Sequence, residues 1–378
     1  MKVLFVFGTR PEAIKMAPII KKMQSMSEIT LGVCVTAQHR EMLDQILEVF
    51  KIVPDYDLNV MRQNQGLYDI TSIMLLKLKE VYNSFNPDIV LVHGDTTTAF
   101  VSALAAFYSG IKVGHIEAGL RTYNLCNPFP EEANRQLVGV LSALHFAPTQ
   151  TSANNLISEG KDKNNVYVVG NTVIDALFWV LNRIKCDEKF KDEIISSLNE
   201  QYQANKKRKI ILVTGHRREN FGKGFVQICE ALRDIALKNP GVDIVYPVHL
   251  NPNVQKPVNE ILSGISNIYL IRPLKYQEFV YLMFIAYIII TDSGGIQEEA
   301  PSLGKPVLVM RNTTERPEAV EAGVVKLVGI SKDKIIDETE KLLENQKEYE
   351  NMSKSCNPYG NGDACEKIIQ IIKERFKV

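Results

Sequence analysis

The chain contains no C-x-x-C pair, no G-x-G-x-x-G, no Walker loop and no excess of charge of either sign. Each absence removes a class of function. Its six cysteines, Cys34, Cys126, Cys186, Cys229, Cys356 and Cys365, are scattered. That argues against a zinc ribbon or a thioredoxin-type motif. In a long chain it fits a reducing cytosol better than a disulfide framework. Missing fingerprints disfavour tightly bound NAD and P-loop ATP chemistry. Lys plus Arg and Asp plus Glu both number 44. A neutral chain has no general field to draw in nucleic acid or an anionic membrane. Any anionic ligand must then be held by a local cluster of donors. The longest apolar run, Phe279–Ile290, is well short of the roughly 18 residues of a membrane helix. The N-terminal run Val3–Phe7 is too short for a signal-peptide core, and Arg10 interrupts it. No metal-ligand spacing is visible. A cytoplasmic protein is expected, with no metal, no nucleic-acid partner and no membrane.

What is present is an ordinary globular balance: 378 residues, 45% hydrophobic and 23% charged. At about 150 residues per domain this length suggests two or three domains. Short β-branched runs alternate with helical spacing throughout. Val3–Phe7, Leu31–Thr36, Ile89–His93, Val113–Ile116 and Tyr167–Val169 read as one set of strands. Helical patterns cover Ala13–Met26, Glu41–Phe50 and Thr98–Tyr108. After the charged stretch Lys185–Lys209 come Ile210–Thr214, Ile244–Val248, Ile268–Ile271, Tyr287–Thr291 and Val307–Val309. Alternating strands and helices imply βαβ units and a parallel sheet. Two sets imply an α/β protein of two doubly wound, Rossmann-like domains with a ligand cleft between them. In such sheets ligands bind beyond the carboxyl ends of the strands.

Those ends carry the chemistry. Gly8-Thr9-Arg10-Pro11-Glu12 ends the first strand, with Lys15 one turn into the helix. Two cations at a helix N-terminus make a natural anion site, although a solvating surface pair would look the same. Gly94-Asp95 ends the Ile89–His93 strand and Glu117 the neighbouring one. Asp95 alone could simply cap the next helix. Glu131, in the Pro128-Phe129-Pro130-Glu131-Glu132 loop, could simply open one. As a trio in one cleft they look like acid–base equipment. In the second set, Gly215-His216-Arg217-Arg218 suggests a phosphate-handling loop, with His249 a weaker candidate. Asp292-Ser293-Gly294-Gly295 runs from a hydrophobic strand into a helix. Free N–H groups there could cradle a diphosphate. Glu299 lies one turn in, where it could accept ribose hydroxyls, and Arg316 could add charge from a nearby loop.

Together these blocks resemble the non-hydrolysing UDP-N-acetylglucosamine 2-epimerases of bacteria. The resemblance runs from Phe7–Pro18 through Ala37–Arg40, Val92–Thr98, the Glu117 and Glu131 loops, Gly215–Glu219 and Asp292–Gly304 to Asn357–Gly360. It implies a glycosyltransferase B type fold. An N-terminal domain, residues 1–170, would carry the acid trio and be completed by the C-terminal helix at 360–378. A second domain, 171–359, would bind UDP. It implies Asp95, Glu117, Glu131 and His216 as catalytic residues. It implies Arg10, Lys15, Asp95, Glu117, His216, Phe279, Ser293, Gly294, Gly295, Glu299 and Arg316 as substrate contacts. Leu274 stands where many members have Gln. Some members bind a second UDP-GlcNAc as activator, and the matching positions are Gln38, Glu41, Asn64, Glu131, Arg217 and His249. Glu41 and Asn64 depart from that pattern. No cofactor is implied, and the expected partners are UDP-GlcNAc or UDP-ManNAc and a second copy of the chain in a homodimer. The expected role is to feed bacterial surface polysaccharide synthesis.

Such a reaction makes intelligible demands. The C2–H of a GlcNAc unit is not adjacent to a carbonyl, so direct deprotonation gives no stabilised anion. Expelling UDP while removing that proton gives a 2-acetamidoglucal, to which UDP can return after protonation of the other face. This needs donors on the diphosphate and at least one carboxylate near C2. The arrangement expected is Asp95 and Glu131 exchanging the proton and Glu117 orienting the sugar.

Overall fold

The computed structural model describes residues 1–37, 40–62, 65–203, 207–314 and 316–378. The chain divides into two compact units, Met1–Ala176 with Tyr359–Val378, and Leu177–Pro358. The divide falls inside the helix Thr172–Cys186.

Unit 1 contains β1 (Lys2–Phe7), β2 (Thr30–Val35), β3 (Tyr56–Asp57), β4 (Ile89–His93), β5 (Lys112–Ile116), β6 (Leu144–Ala147) and β7 (Val166–Val168). They form one sheet in the order β3-β2-β1-β4-β5-β6-β7, every described pairing parallel. Unit 2 contains β8 (Lys209–Thr214), β9 (Val242–Pro247), β10 (Ile268–Ile271), β11 (Ile288–Thr291), β12 (Val307–Val309) and β13 (Val325–Leu327). Their order is β10-β9-β8-β11-β12-β13, again parallel. Both orders are doubly wound. In each, strand order reverses at one point, between β1 and β4 and between β8 and β11. That is where such sheets open a crevice for a ligand.

The sheets are built by burial on both faces. Residues Val3 to Phe7 and Ile288 to Ile290 are fully buried, the continuous apolar run expected of a covered parallel strand. Helices then start at defined signals. Arg10–Met23 begins with a capping box between Thr9 and Glu12, Pro11 in its first turn, and Lys21 and Lys22 in its last.

Three strands go beyond the sequence reading: β3, β6 and β13. β3 has two residues and β13 three, too few to show alternation. β6 includes the buried His145, which breaks its apolar pattern. The apolar run Phe279–Ile290 is not one element. It divides between the helix Tyr276–Ile285 and β11. Much of the charged stretch before β8 is the helix Glu188–Asn199, capped by Asp187 on the Phe190 amide at 3.0 Å. The C-terminal helix Ala364–Phe376 lies in unit 1 and packs on Arg10–Met23. Asp175 accepts from the Cys365 amide at 3.0 Å, and Lys22 reaches Glu366 at 2.6 Å.

Candidate active site

In unit 1 the tips of β1, β4 and β5 lie side by side, with His93 of β4 opposite Ile116 of β5. They open onto a cavity of about 450 Å³ lined by residues that include Arg10, Lys15, His93, Asp95 and Glu117. Four of the expected site residues of this unit therefore share one space. Glu131 is not among the lining residues. It opens the helix Glu131–Leu141, which serves the cavity in another way.

Glu117 is the most constrained of the acids. Its φ is +62°, left-handed backbone that a non-glycine residue adopts at a cost of about 1 kcal/mol or more. Such strain persists only where neighbours hold it. Lys15 Nζ donates to Glu117 Oε2, and Asn171 Nδ2 donates to the same oxygen at 3.1 Å. The His93 ring lies 3.8 Å away. Burial pushes the His93 imidazole down to about 4, against the pull of Glu117. The ring is therefore neutral at pH 7, and Lys15 is the group that balances the carboxylate.

Asp95 is held differently. Arg135 Nη2 donates to its Oδ2, and Asn134 Nδ2 donates to its backbone carbonyl at 2.9 Å. Burial pushes the Asp95 carboxyl up, and the Arg135 guanidinium opposes it. The side chain is still 27% exposed, so a ligand can reach it. Arg135 also lies 3.3 Å from Glu132, which accepts from the Thr122 and Tyr123 amides at 3.0 and 3.1 Å. Of the two adjacent acids, Glu132 organises the loop and Glu131 is left half-buried at the helix start. Glu12 is structural as well. Its buried carboxylate accepts from the Gly8 and Thr9 amides at 3.0 and 2.8 Å and from the Thr96 hydroxyl at 2.6 Å.

In unit 2, β8 and β11 are neighbours, with Thr214 opposite Thr291. This brings Gly215-His216-Arg217 beside Asp292-Ser293-Gly294-Gly295. Asp292 is fully buried and accepts from the His216 and Arg217 amides at 2.9 and 2.8 Å. The His216 side chain remains 44% exposed. Its ring stacks on His249, with centroids 5.3 Å apart and planes 15° apart. Arg217 Nη2 lies 3.7 Å from where a Gly294 side chain would begin, and nothing lies within 4 Å of the corresponding point at Gly295. That open space is room for a ligand against the backbone. Burial pushes the His216 imidazole down, while Asp292 pulls it up.

Further along, Tyr276 Oη donates to the buried Glu299 at 3.0 Å. Arg316 Nε donates to the buried Glu298. Phe279 is half-buried on the helix Tyr276–Ile285. Leu274 is buried. Of the positions matching an activator site, Glu41 is exposed in the first turn of the helix Arg40–Phe50. Gln38 and Asn64 lie outside the described residues.

Sequence reading missed Asn134, Arg135, Asn171 and Asp292. All but Asp292 lie far along the chain from the acid they hold, so no local spacing announces them. Asp292 stood inside the Ser-Gly-Gly motif, and only the fold shows that it faces His216.

The family model for UDP-N-acetylglucosamine 2-epimerase matches residues 21–373. The UDP-N-acetylglucosamine 2-epimerase of Campylobacter jejuni is 67% identical, over 98% of this chain and 97% of its own. That of Escherichia coli K12 is 56% identical, over 99% and 98%. The crystal structure of the Neisseria meningitidis enzyme bound to UDP-GlcNAc superposes with a TM-score of 0.89, at 54% identity over 99% of this chain and 100% of that one. With parallel Rossmann-like sheets in both units and relatives of this identity along the full chain, the protein is an epimerase and belongs to the UDP-N-acetylglucosamine 2-epimerase family.

Proposed function

We propose that the protein interconverts UDP-GlcNAc and UDP-ManNAc by elimination and re-addition of UDP. The observation that carries this reading is the unit 1 cavity, where Arg10, Lys15, Asp95 and Glu117 converge. In the forward step a carboxylate takes the C2 proton and the C1–O bond breaks. Its electron pair leaves on the β-phosphate oxygen of UDP, and C1=C2 forms. In the return step a proton is delivered to the opposite face of C2 and the UDP oxygen re-forms the bond to C1. The reaction is redox-neutral overall and consumes nothing.

The residues divide the work. Asp95 and Glu131 exchange the C2 proton. Burial that lifts the Asp95 carboxyl makes it a stronger base, and Arg135 keeps it ionised. Glu117, fixed by Lys15 and Asn171, orients the sugar. In unit 2, His216 and the Ser293–Gly295 amides take the departing diphosphate, an anion best stabilised by donors already in place. Arg10 adds positive charge. Phe279, Glu299 and Arg316 serve the nucleoside end, Glu299 being oriented by Tyr276 and Arg316 by Glu298.

The same reading includes a homodimer in the cytoplasm, serving surface polysaccharide synthesis. Support for the dimer is an apolar face. The helices Leu67–Phe85, Thr97–Tyr108 and Glu131–Leu141 pack side by side. They expose Leu76, Phe107, Tyr108, Leu137 and Val140, apolar side chains of the kind that mark a protein–protein interface when they cluster. No helix among the described residues is long and apolar enough to cross a membrane.

Proton NMR of the protein with UDP-GlcNAc in D2O, without added cofactor, tests the reading. UDP-ManNAc carrying deuterium at C2, with little free sugar, is expected. Free ManNAc and UDP as main products would replace it with a hydrolase, and binding without turnover would end it.

A further inference from the structure

We propose that Asp292 is a positioning residue for His216: it fixes the turn that carries the imidazole and holds the ring with its proton on Nδ1, so that Nε2 faces the ligand. The inference rests on the reading that His216 serves the departing diphosphate.

Asp292 stands at the carboxyl end of β11 and is fully buried. Its Oδ2 is saturated by the His216 amide at 2.9 Å, the Arg217 amide at 2.8 Å and Asn220 Nδ2 at 3.3 Å. Its Oδ1 is equally buried and accepts no hydrogen bond within the protein. A buried carboxylate oxygen without a donor is costly. The group facing it is His216 Nδ1, 3.6 Å away. That is beyond a hydrogen bond, but the half-exposed ring needs only a small rotation to close it. Catalytic hydrogen bonds often tighten when the ligand arrives. The His249 ring stacks on His216 and keeps such a rotation in its plane. His249 Nδ1 accepts from the Asn251 amide at 3.1 Å, so that nitrogen has no proton to offer the oxygen.

The consequence is electronic as well as geometric. The groups facing His216 are Asp292, His249 and Arg217. Burial, His249 and Arg217 disfavour the imidazolium, and Asp292 alone favours it. With Nδ1–H directed at Asp292, a proton gained on Nε2 is the one offered to the leaving diphosphate oxygen. A negative carboxylate behind the ring stabilises that charged state.

Asp292→Asn separates these roles. The carboxamide oxygen can still accept the two amides, so the turn survives. Its NH₂ then meets His216 Nδ1 and forces the proton to Nε2. We expect kcat to fall roughly 10²-fold with KM changed less than about threefold, and the alkaline limb of the kcat profile to move to lower pH. In a His216→Asn background the Asp292→Asn change should add nothing, since coupled residues do not add. The direct test is long-range ¹⁵N–¹H NMR on histidine-labelled wild-type protein. Neutral His216 protonated on Nδ1 is expected, with Asp292→Asn switching it to Nε2. Wild-type His216 protonated on Nε2 would overturn the proposal. So would an Asp292→Asn protein with tautomer and pH limb unchanged. Should that variant not fold, the wild-type tautomer decides. A wild-type protein that does not interconvert the UDP-sugars would refute the functional reading and leave the tautomer result standing.

Discussion

The two units place polar groups at the same topological point and treat charge in opposite ways. Unit 1 sets a cation on each of two cavity carboxylates, Lys15 on Glu117 and Arg135 on Asp95, and holds a third, Glu12, with amides and a hydroxyl. Unit 2 buries one carboxylate, Asp292, at its switch point and turns an exposed imidazole and bare glycine backbone outward. A buried ion pair is poor evidence for stability, because desolvation takes back most of the attraction. Its value in unit 1 is to keep carboxylates ionised and aimed. Open donors in unit 2 suit a ligand that brings its own negative charge. The first arrangement fits proton transfer at carbon, the second fits holding a diphosphate.

The largest effect that would break this contrast concerns the acids. Asp95→Asn and Glu117→Gln should each lower kcat by roughly 10³-fold. Calorimetric UDP affinity should stay within about threefold. Near-normal turnover of Asp95→Asn would remove Asp95 from its role, and parallel loss of UDP binding would erase the division between units.

Acid stability comes next. Unit 1 buries three histidines, His93, His115 and His145, whose imidazoles burial pushes down to about 4, about 3 and about 4. In the unfolded chain they titrate near 6.5. Between those values the unfolded state binds more protons. The contribution is therefore fully present above pH 6.5 and is lost as pH falls toward 4. Each histidine should account for on the order of 3 kcal/mol of that loss. Both histidines of unit 2 are exposed. Native-state hydrogen exchange should show opening free energies in β4, β5 and β6 falling between pH 7 and 4.5 more than those in β8 and β9. Equal losses would contradict the assignment.

Arg135→Gln sharpens the comparison at smaller scale. Arg135 lowers the Asp95 pKa, so its removal should raise the acid limb of the pH–rate profile. We expect kcat at pH 7 to drop about 10- to 100-fold. A loss of activity with the limb unmoved would make Arg135 merely structural.

Smallest is Gly295→Ala. Because the added carbon meets nothing within 4 Å, Tm should move by no more than about 2 °C. Affinity for UDP should still fall roughly tenfold, since the methyl group occupies space the diphosphate would approach. Unchanged affinity would show that the ligand does not lie against this backbone.

Much of this was legible in the sequence because it is local. β1, β4, β8 and β11 announce themselves as buried apolar runs, and Arg10, Asp95, His216 and Ser293 each follow one of them, while β5 shows only Val113 and Ile116 around Gly114 and His115 before Glu117. What stayed hidden is non-local or too short. Arg135 reaches back 40 residues to Asp95 and Asn171 reaches back 54 to Glu117. Glu131 and Glu132 look alike in sequence, and only the fold separates the acid that ties the loop from the one left at the helix start. β3, β6 and β13 lack a run long enough, or apolar enough, to register.

If carbon–oxygen and carbon–hydrogen bonds both break, a glucal lies between the two UDP-sugars. The most direct measurement gives the wild-type protein 2-acetamidoglucal and UDP in D2O and follows phosphorus and proton NMR. UDP-GlcNAc and UDP-ManNAc, both deuterated at C2, should form. Glucal and UDP persisting unchanged, under conditions where the protein converts UDP-GlcNAc, would contradict a path through the glucal.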